Sequence, residues 1–500
     1  MSLVKMLLLE CENWILGKPL VSISTGGFLL PFLQSYFIKE VDKVTGFIVL
    51  VAYTLLMLGV SYLLTRRQTT LQGFLVGDRR MGTIKSAMSI AATWIWAPAL
   101  FVSAEKAYSN GWPGLFWFFV PNILCLLFFI PYAERIRKQM PNGITISGYM
   151  GTVYRSTNVK KVYLVQLSIL AVLSTAVQLL AGGKILSSIL GIDFFSTTVI
   201  LSLIAYSYSQ FSGIMASVIT EAMQMVLILG CCFLLVPWAL SMPGGYIALT
   251  NGLHGISGNY QSLISDSGIA LFLGFGLPAA LGLMAGPFGD QCFWQRAFSI
   301  KEGKIAKAFA LGTVLFAVVP LSMGVLGFIA AGYGYSATDK GIVNYELVAQ
   351  LFPEWVTLPF LFMVISGLLS TIDSNLCAAA SLVTDAKKDV EMWHTKAAMA
   401  VLLLAGILIA SVPGITVTHL FLIYGTLRST TMLPTMLTLL GKRLPEKGIC
   451  YGVGLAIIIG LPVFALGTVL NLSTIKIIGC LIATLTGTAV ALTWGLFNRF

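Results

Sequence analysis

Charge is scarce in this chain. Its 20 acidic and 31 basic residues make up 10% of 500 positions, whereas soluble domains carry about 25% charged residues. So little charge cannot coat a soluble globule, and it excludes a disordered chain as well. Histidine is nearly absent: His254, His394 and His419 lie far apart, and neither HExxH nor GxSxG occurs. A membrane-embedded enzyme built on either motif is therefore excluded. The eight cysteines form no CxxC pair and none stands at metal-ligand spacing from a histidine, so they read as small core residues. No carbonyl-filter motif or ring-forming repeat suggests a channel. The opening MSLVKMLLLECENWIL is too short in apolar residues, and lacks the small-residue site, to read as a removable signal.

Apolar residues are abundant instead. They fill 57% of the chain, and the mean hydropathy is +0.88. At about 20 residues per crossing, runs fall at 45–64, 86–107, 113–133, 160–188, 194–212, 216–240, 268–290, 305–332, 356–384, 395–412, 415–439, 449–471 and 474–496. A softer stretch, 19–38, either crosses as a fourteenth or lies in the interface. The expected class is an all-α polytopic membrane protein of about 13 helices.

The net charge of +11 would suggest nucleic acid in a soluble protein. Here it follows the enrichment of Lys and Arg in cytoplasmic loops. Arg66, Arg67, Arg79, Arg80 and Lys85 follow the first run; Arg135, Arg137, Lys138, Arg155, Lys160 and Lys161 follow the third. Arg296, Lys301, Lys304 and Lys307 follow the seventh, Lys387, Lys388 and Lys396 the ninth, and Lys442, Arg443 and Lys447 the eleventh. These alternate loops hold 21 of the 31 bases. The opposite loop 241–267 has none and 333–355 only Lys340. The odd loops and the C-terminus are expected in the cytoplasm, in a cell membrane.

Two runs read as broken helices. AATWIWAPALF places Pro98 mid-membrane, and LGFGLPAALGLMAGPFGDQ carries Gly274, Gly276, Pro278, Gly282, Gly286, Pro287 and Gly289. They are the second and seventh runs, five apart, and so enter from opposite sides. Interrupted segments at corresponding places in two halves point to an inverted-repeat transporter with its site at the unwound midplane. Ionisable residues at membrane depth are functional candidates by default: Glu221, Asp290, Asp373 and Arg428. Lys184 can snorkel, and Glu105 and Lys106 sit at a helix end. In GLLSTIDSN, Gly367, Ser370 and Thr371 share a helical face. Two hydroxyls and a carbonyl facing an unwound helix make a hard-oxygen cage suited to Na⁺; alternatively the hydroxyls only bond the carbonyl one turn back.

FLVGDRRMG, SIAATWIWAPALF, QLLAGG at 178–183, TEAMQ at 220–224, DQCFWQR at 290–296 and LLSTIDSNLCAAASLVTD at 368–385 resemble the solute:sodium symporter family over about 70–450. The resemblance implies the five-plus-five inverted repeat of the leucine-transporter type. The repeats would span 86–242 and 243–440, with 1–85 bearing one peripheral helix and 441–500 two. It implies that Ala92 and Ile95 offer carbonyls to sodium, that Ser370 and Thr371 supply hydroxyls, and that Gly367 is a further ligand. Glu221 falls where the family usually has Asp, near the inner sodium exit path, and Asp373 joins it as a coupling residue. Trp94 and Trp96 flank the unwound point, Gln178 faces it from the third core helix and Phe288 from the sixth; the tryptophans alternatively only pack. TWIWAPAL, DQCFWQRA and YGTLRSTTMLP look most like the urea-transporting branch, although Arg428 stands where that branch has an apolar residue. The sugar members' inner-gate Tyr falls on Gly286. The implied activity is Na⁺-coupled import of a small polar solute, a urea-like amide. Two variants remain open: a small carboxylate received by Arg428, or proton coupling. Arg428 either pairs with Asp373 or Asp290 or faces the solute. Expected partners are solute, Na⁺ and the lipid bilayer, without nucleic acid, in a monomer or weak homo-oligomer.

Overall fold

A computed structural model describes residues 43–64, 70–210 and 213–497; the run at 19–38 and Cys11 lie outside the described residues. Everything below concerns the unit Lys39–Phe500. Among the described residues, regular structure is helical apart from one isolated bridge between Met81 and Ile300.

Each of the thirteen apolar runs has its helix. α1 is Lys43–Leu64. The second run is split into α2 (Thr83–Trp94) and α3 (Ala97–Leu100), which leads into α4 (Val102–Gln139). α5 (Thr157–Leu190), α6 (Phe194–Ser209) and α7 (Ile214–Ser241) complete the first set. The seventh run becomes α8 (Asp266–Met284), α9 (Gly286–Gly289) and α10 (Gln291–Ser299). α11 (Ile305–Gly332), α12 (Thr357–Ala386), α13 (Met392–Ala410) and α14 (Val417–Leu439) follow. α15 (Glu446–Val469) and α16 (Ser473–Phe497) close the chain. Ten of these are long and apolar enough to cross a membrane. α6, the more polar α14 and the broken α2–α3 segment account for the other three runs.

Both breaks are where sequence placed them in the chain, but their details differ. The first falls at Ile95 and Trp96, whose ψ of 76° and 174° leave the helical range. Pro98 instead sits in the first turn of α3, where its missing N–H has no helical partner to lose. The second run continues to Gly111 (φ 59°, ψ −157°), which kinks α4. A Cβ there would lie 2.4 Å from the Leu253 carbonyl oxygen, so glycine alone fits.

The second break spans Ala285 to Asp290, and α10 lies beyond the expected end of the run at 290. Hydropathy missed α10 because QCFWQRAFS is polar, yet all nine of its residues are buried. This corrects the reading of Arg296 as a cytoplasmic-loop charge: it is 1% exposed in the interior. Met81 ties the two broken segments together, accepting from Lys301 N–H at 3.0 Å and donating to the Ser299 carbonyl at 3.3 Å.

Around this centre, α11 packs on α4 and α2, α7 and α5 on α12, and α14 on α16. Leu55, Leu203, Phe233, Val401, Leu408 and Ile458 point outward and are more than half exposed, as expected of helices whose outer face meets lipid. Polar residues gather inside instead.

Candidate functional site

The two breaks face one another. A Cβ on Gly286 would lie 2.3 Å from Trp94 Cη2, and one on Gly289 would lie 2.8 Å from Arg428 Cγ. The small residues of α9 let the large side chains of α2 and α14 close over the centre.

On one side of the first break lies the oxygen cage. Ser370 Oγ donates to the carbonyls of Ala92 and Gly367, each at 2.9 Å. Thr371 Oγ1 donates to Thr93 O at 3.2 Å and Gly367 O at 3.3 Å. The Ile95 carbonyl oxygen would stand 3.3 Å from a Cβ on Gly367. All five residues expected around a cation therefore converge. Ile95 directly follows α2 and has left the helical range, so its carbonyl is freed by the unwinding. The donor set is all oxygen and uncharged, which suits a monovalent hard cation. The alternative for Ser370 and Thr371 is also partly realised, because both reach Gly367 O within their own helix.

Directly beside the cage is a fully packed ion pair. Arg296 Nη2 donates to Glu221 Oε1 at 2.6 Å and to Ser374 Oγ at 2.7 Å. Arg296 Nε donates to Ser89 Oγ at 2.9 Å, and Nη1 to the Cys292 carbonyl at 3.0 Å. Glu221 also accepts from Ser89, Ser374, Ser217 and Thr93. Asp373 is wholly buried nearby, with Ser217 and Thr220 hydroxyls at 3.4 Å. The guanidinium of Arg296 thus has every nitrogen engaged. Sequence reading found Glu221 and Asp373 and missed Arg296, whose only signal was its place six residues after Asp290.

On the other side lies an aromatic chamber. Trp94 and Trp96 stack at 5.9 Å between centroids and 25° between planes. Phe293 closes on Trp94 edge-on at 5.1 Å, and Phe421 and Tyr424 on Trp96 at 5.4 and 5.5 Å. The Arg428 guanidinium lies 3.7 Å from the Tyr424 ring centroid and 5.0 and 5.1 Å from those of Trp96 and Trp94, a cation–π arrangement. Of its two candidate partners it takes Asp290: Nη2 donates to Asp290 and to the Tyr424 hydroxyl, which itself donates to Asp290 at 2.6 Å. Unlike Arg296, Arg428 keeps Nε and Nη1 buried and unpaired among the described residues, and so do the indole N–H groups of Trp94 and Trp96.

Two expected contacts are placed differently. Phe288 turns toward α4, where its ring packs on Tyr132 at 5.0 Å and Phe129 at 5.3 Å; Phe293 of α10, across the break, takes the place beside Trp94. The Gln178 carbonyl oxygen accepts the Ala97 N–H at 2.7 Å, satisfying a donor that the break exposes at the start of α3. Phe421, Tyr424 and Asp290 join the chamber; for Tyr424 and Arg428 the signal was their four-residue spacing on one face of α14.

The fold and these interior groups define a membrane transporter rather than an enzyme. Over residues 74–457 the chain matches the family model described as "SSF: Sodium:solute symporter family", and it belongs to that family. It is 24% identical over 450 residues to the sodium/pantothenate symporter of Escherichia coli (strain K12), covering 85% of this chain and 90% of that one. It is 23% identical over 431 residues to the urea active transporter of Saccharomyces cerevisiae, covering 77% of this chain but only 58% of that protein. Among solved structures it resembles that of a Na⁺-coupled sialic acid symporter in a substrate-bound, outward-open state. The TM-score is 0.71 at 17% identity, over 90% of this chain and 98% of that one, and this likeness bears out the inverted-repeat fold.

Proposed function

We propose that this protein imports a small neutral solute bearing a carbonyl acceptor, a urea-like amide, together with Na⁺ by alternating access. The observation that carries the reading is the set of four buried, unpaired donors on Trp94, Trp96 and Arg428. A buried donor without an acceptor costs about 1–3 kcal/mol, and a carbonyl oxygen placed among these four relieves that cost. Asp290 already balances the charge of Arg428. An entering carboxylate would compete with Asp290 and add an uncompensated charge, so a neutral acceptor fits better than the anion alternative. The glycines of α9 are pressed against Trp94 and Arg428, which supports a small solute over a bulky one.

For the cation, Ala92, Ile95, Gly367, Ser370 and Thr371 supply five oxygens between α2 and α12. A sodium ion there joins the two helices and stabilises the conformation in which the chamber is formed. Glu221, held by Arg296, and Asp373 lie on the side of the cage toward the Lys- and Arg-rich loops, where an ion leaving inward would pass. Those loops support a cytoplasmic C-terminus in a cell membrane. The repeats are read as 86–242 and 243–440, between a peripheral N-terminal segment and two C-terminal helices. Counterflow in proteoliposomes with a panel of urea, simple amides and small carboxylates tests the substrate class. Sodium-gradient-driven exchange of urea or a simple amide is expected; exchange of carboxylates alone would overturn the reading.

A further inference from the structure

A cavity of about 370 Å³ opens between the first turns of α4, α14 and α16 and the sides of α5 and α8, on the face opposite the Lys- and Arg-rich loops. That face is poor in bases, yet Lys106, Lys184, Lys340 and Lys476 all line this one cavity, with His419. Only Glu105 and Asp339 oppose them. Lys106 pairs with Glu105 at 2.9 Å, and Lys184 lies 3.8 Å from Asp339. Lys340 and Lys476 have no carboxylate partner among the described residues. Lys476 is the more telling: it is only 8% exposed, and its ammonium meets just Asn471 Oδ1, at 3.2 Å.

An ammonium removed from water without a counter-charge is costly, and four lysines around one cleft repel each other. A net positive cleft with low-dielectric walls concentrates anions by factors of about 10–10³. The walls here are partly apolar, with Phe101, Phe275, Ile342, Val417 and Leu422 among them. A bare inorganic ion would leave those walls unused, and the volume lies in the range of about 300–1,000 Å³ typical of small-molecule sites.

We propose that this vestibule is a binding site for a small organic carboxylate, with the acid group held by Lys476 and Lys340 beside Lys106 and the carbon chain against the apolar wall. It lies outside the aromatic chamber and does not depend on what the chamber transports. The carboxylate supplies the counter-charge that Lys476 lacks, and it bridges α16 to the loop at 339–342.

The test uses the full-length chain in membrane vesicles with Thr418→Cys, a half-buried position in the cavity wall, and a neutral thiol reagent. The parent chain provides the background labelling. Propionate should slow labelling several-fold, whereas propionamide at matched ionic strength should not. Lys106→Gln/Lys476→Gln should abolish the protection. Lys340→Gln, on an exposed turn remote from the packed core, should weaken it, so that a folding defect is not mistaken for lost binding. Equal protection by propionate and propionamide, no protection by either, or protection that survives the double substitution would overturn the proposal. Because labelling is read without transport, these outcomes stand apart from success or failure of amide counterflow.

Discussion

Arg296 donates to Glu221 across 2.6 Å in a pair whose two side chains are 1% and 0% exposed. It joins α10, the half-helix after the second break, to α7, and through Ser89 and Ser374 to α2 and α12. Four helices distant in the chain thus meet at one guanidinium, immediately beside the oxygen cage. On the proposed reading of the cage as the cation site, an ion leaving it toward the Lys- and Arg-rich face would pass this pair, and the pair would act as a lock on that side.

Removing one partner of such a pair leaves a buried charge and costs about 3–5 kcal/mol. Arg296→Gln should therefore lower the thermal unfolding temperature of the purified protein sharply. Arg296→Gln/Glu221→Gln should recover most of that loss while sodium-driven uptake stays impaired. An Arg296→Gln protein as stable and active as the parent would refute the lock.

The oxygen cage predicts a shift in sodium dependence. Ser370→Ala/Thr371→Val removes two of five oxygens without disturbing the apolar packing of α12. The sodium concentration giving half-maximal uptake should rise several-fold, while maximal uptake at saturating sodium falls less. Unchanged sodium dependence would remove these residues from the cation site.

Arg428 differs from Arg296 in what is left free. Arg428→Gln leaves Asp290 buried without its cation, and a loss of stability is expected. Asp290→Asn in the same protein should restore much of it. Uptake should remain low in that double variant, because the Nε and Nη1 donors are still missing. Full recovery of both stability and uptake would make Arg428 purely structural.

Gln178 should behave as a support for the break rather than a contact for solute. Gln178→Leu exposes the Ala97 N–H without a partner, at a cost of about 1–3 kcal/mol. Stability should drop while the ranking of competing solutes in an uptake assay stays the same. A changed ranking would place the Gln178 amide in the solute site instead.

Sequence alone determined the large architecture. Long apolar runs can only be helices in lipid, because backbone groups there must be satisfied within the segment; all thirteen runs are accordingly helical, ten of them in helices long and apolar enough to cross, and the two interruptions were visible as Pro and Gly. The i, i+3, i+4 spacing of Gly367, Ser370 and Thr371 fixed one face of α12, so half of the oxygen cage was legible before any fold. Tertiary structure decided the rest. Whether Arg296 lay in a loop or a core, and whether Arg428 chose Asp290 or Asp373, depended on which helices meet across some 75 and 138 residues of intervening chain. Local periodicity carries no information on such encounters. The turning of Phe288 away from the chamber was set in the same way, by the φ and ψ angles of a few residues between two half-helices, where no repeating pattern exists to be read.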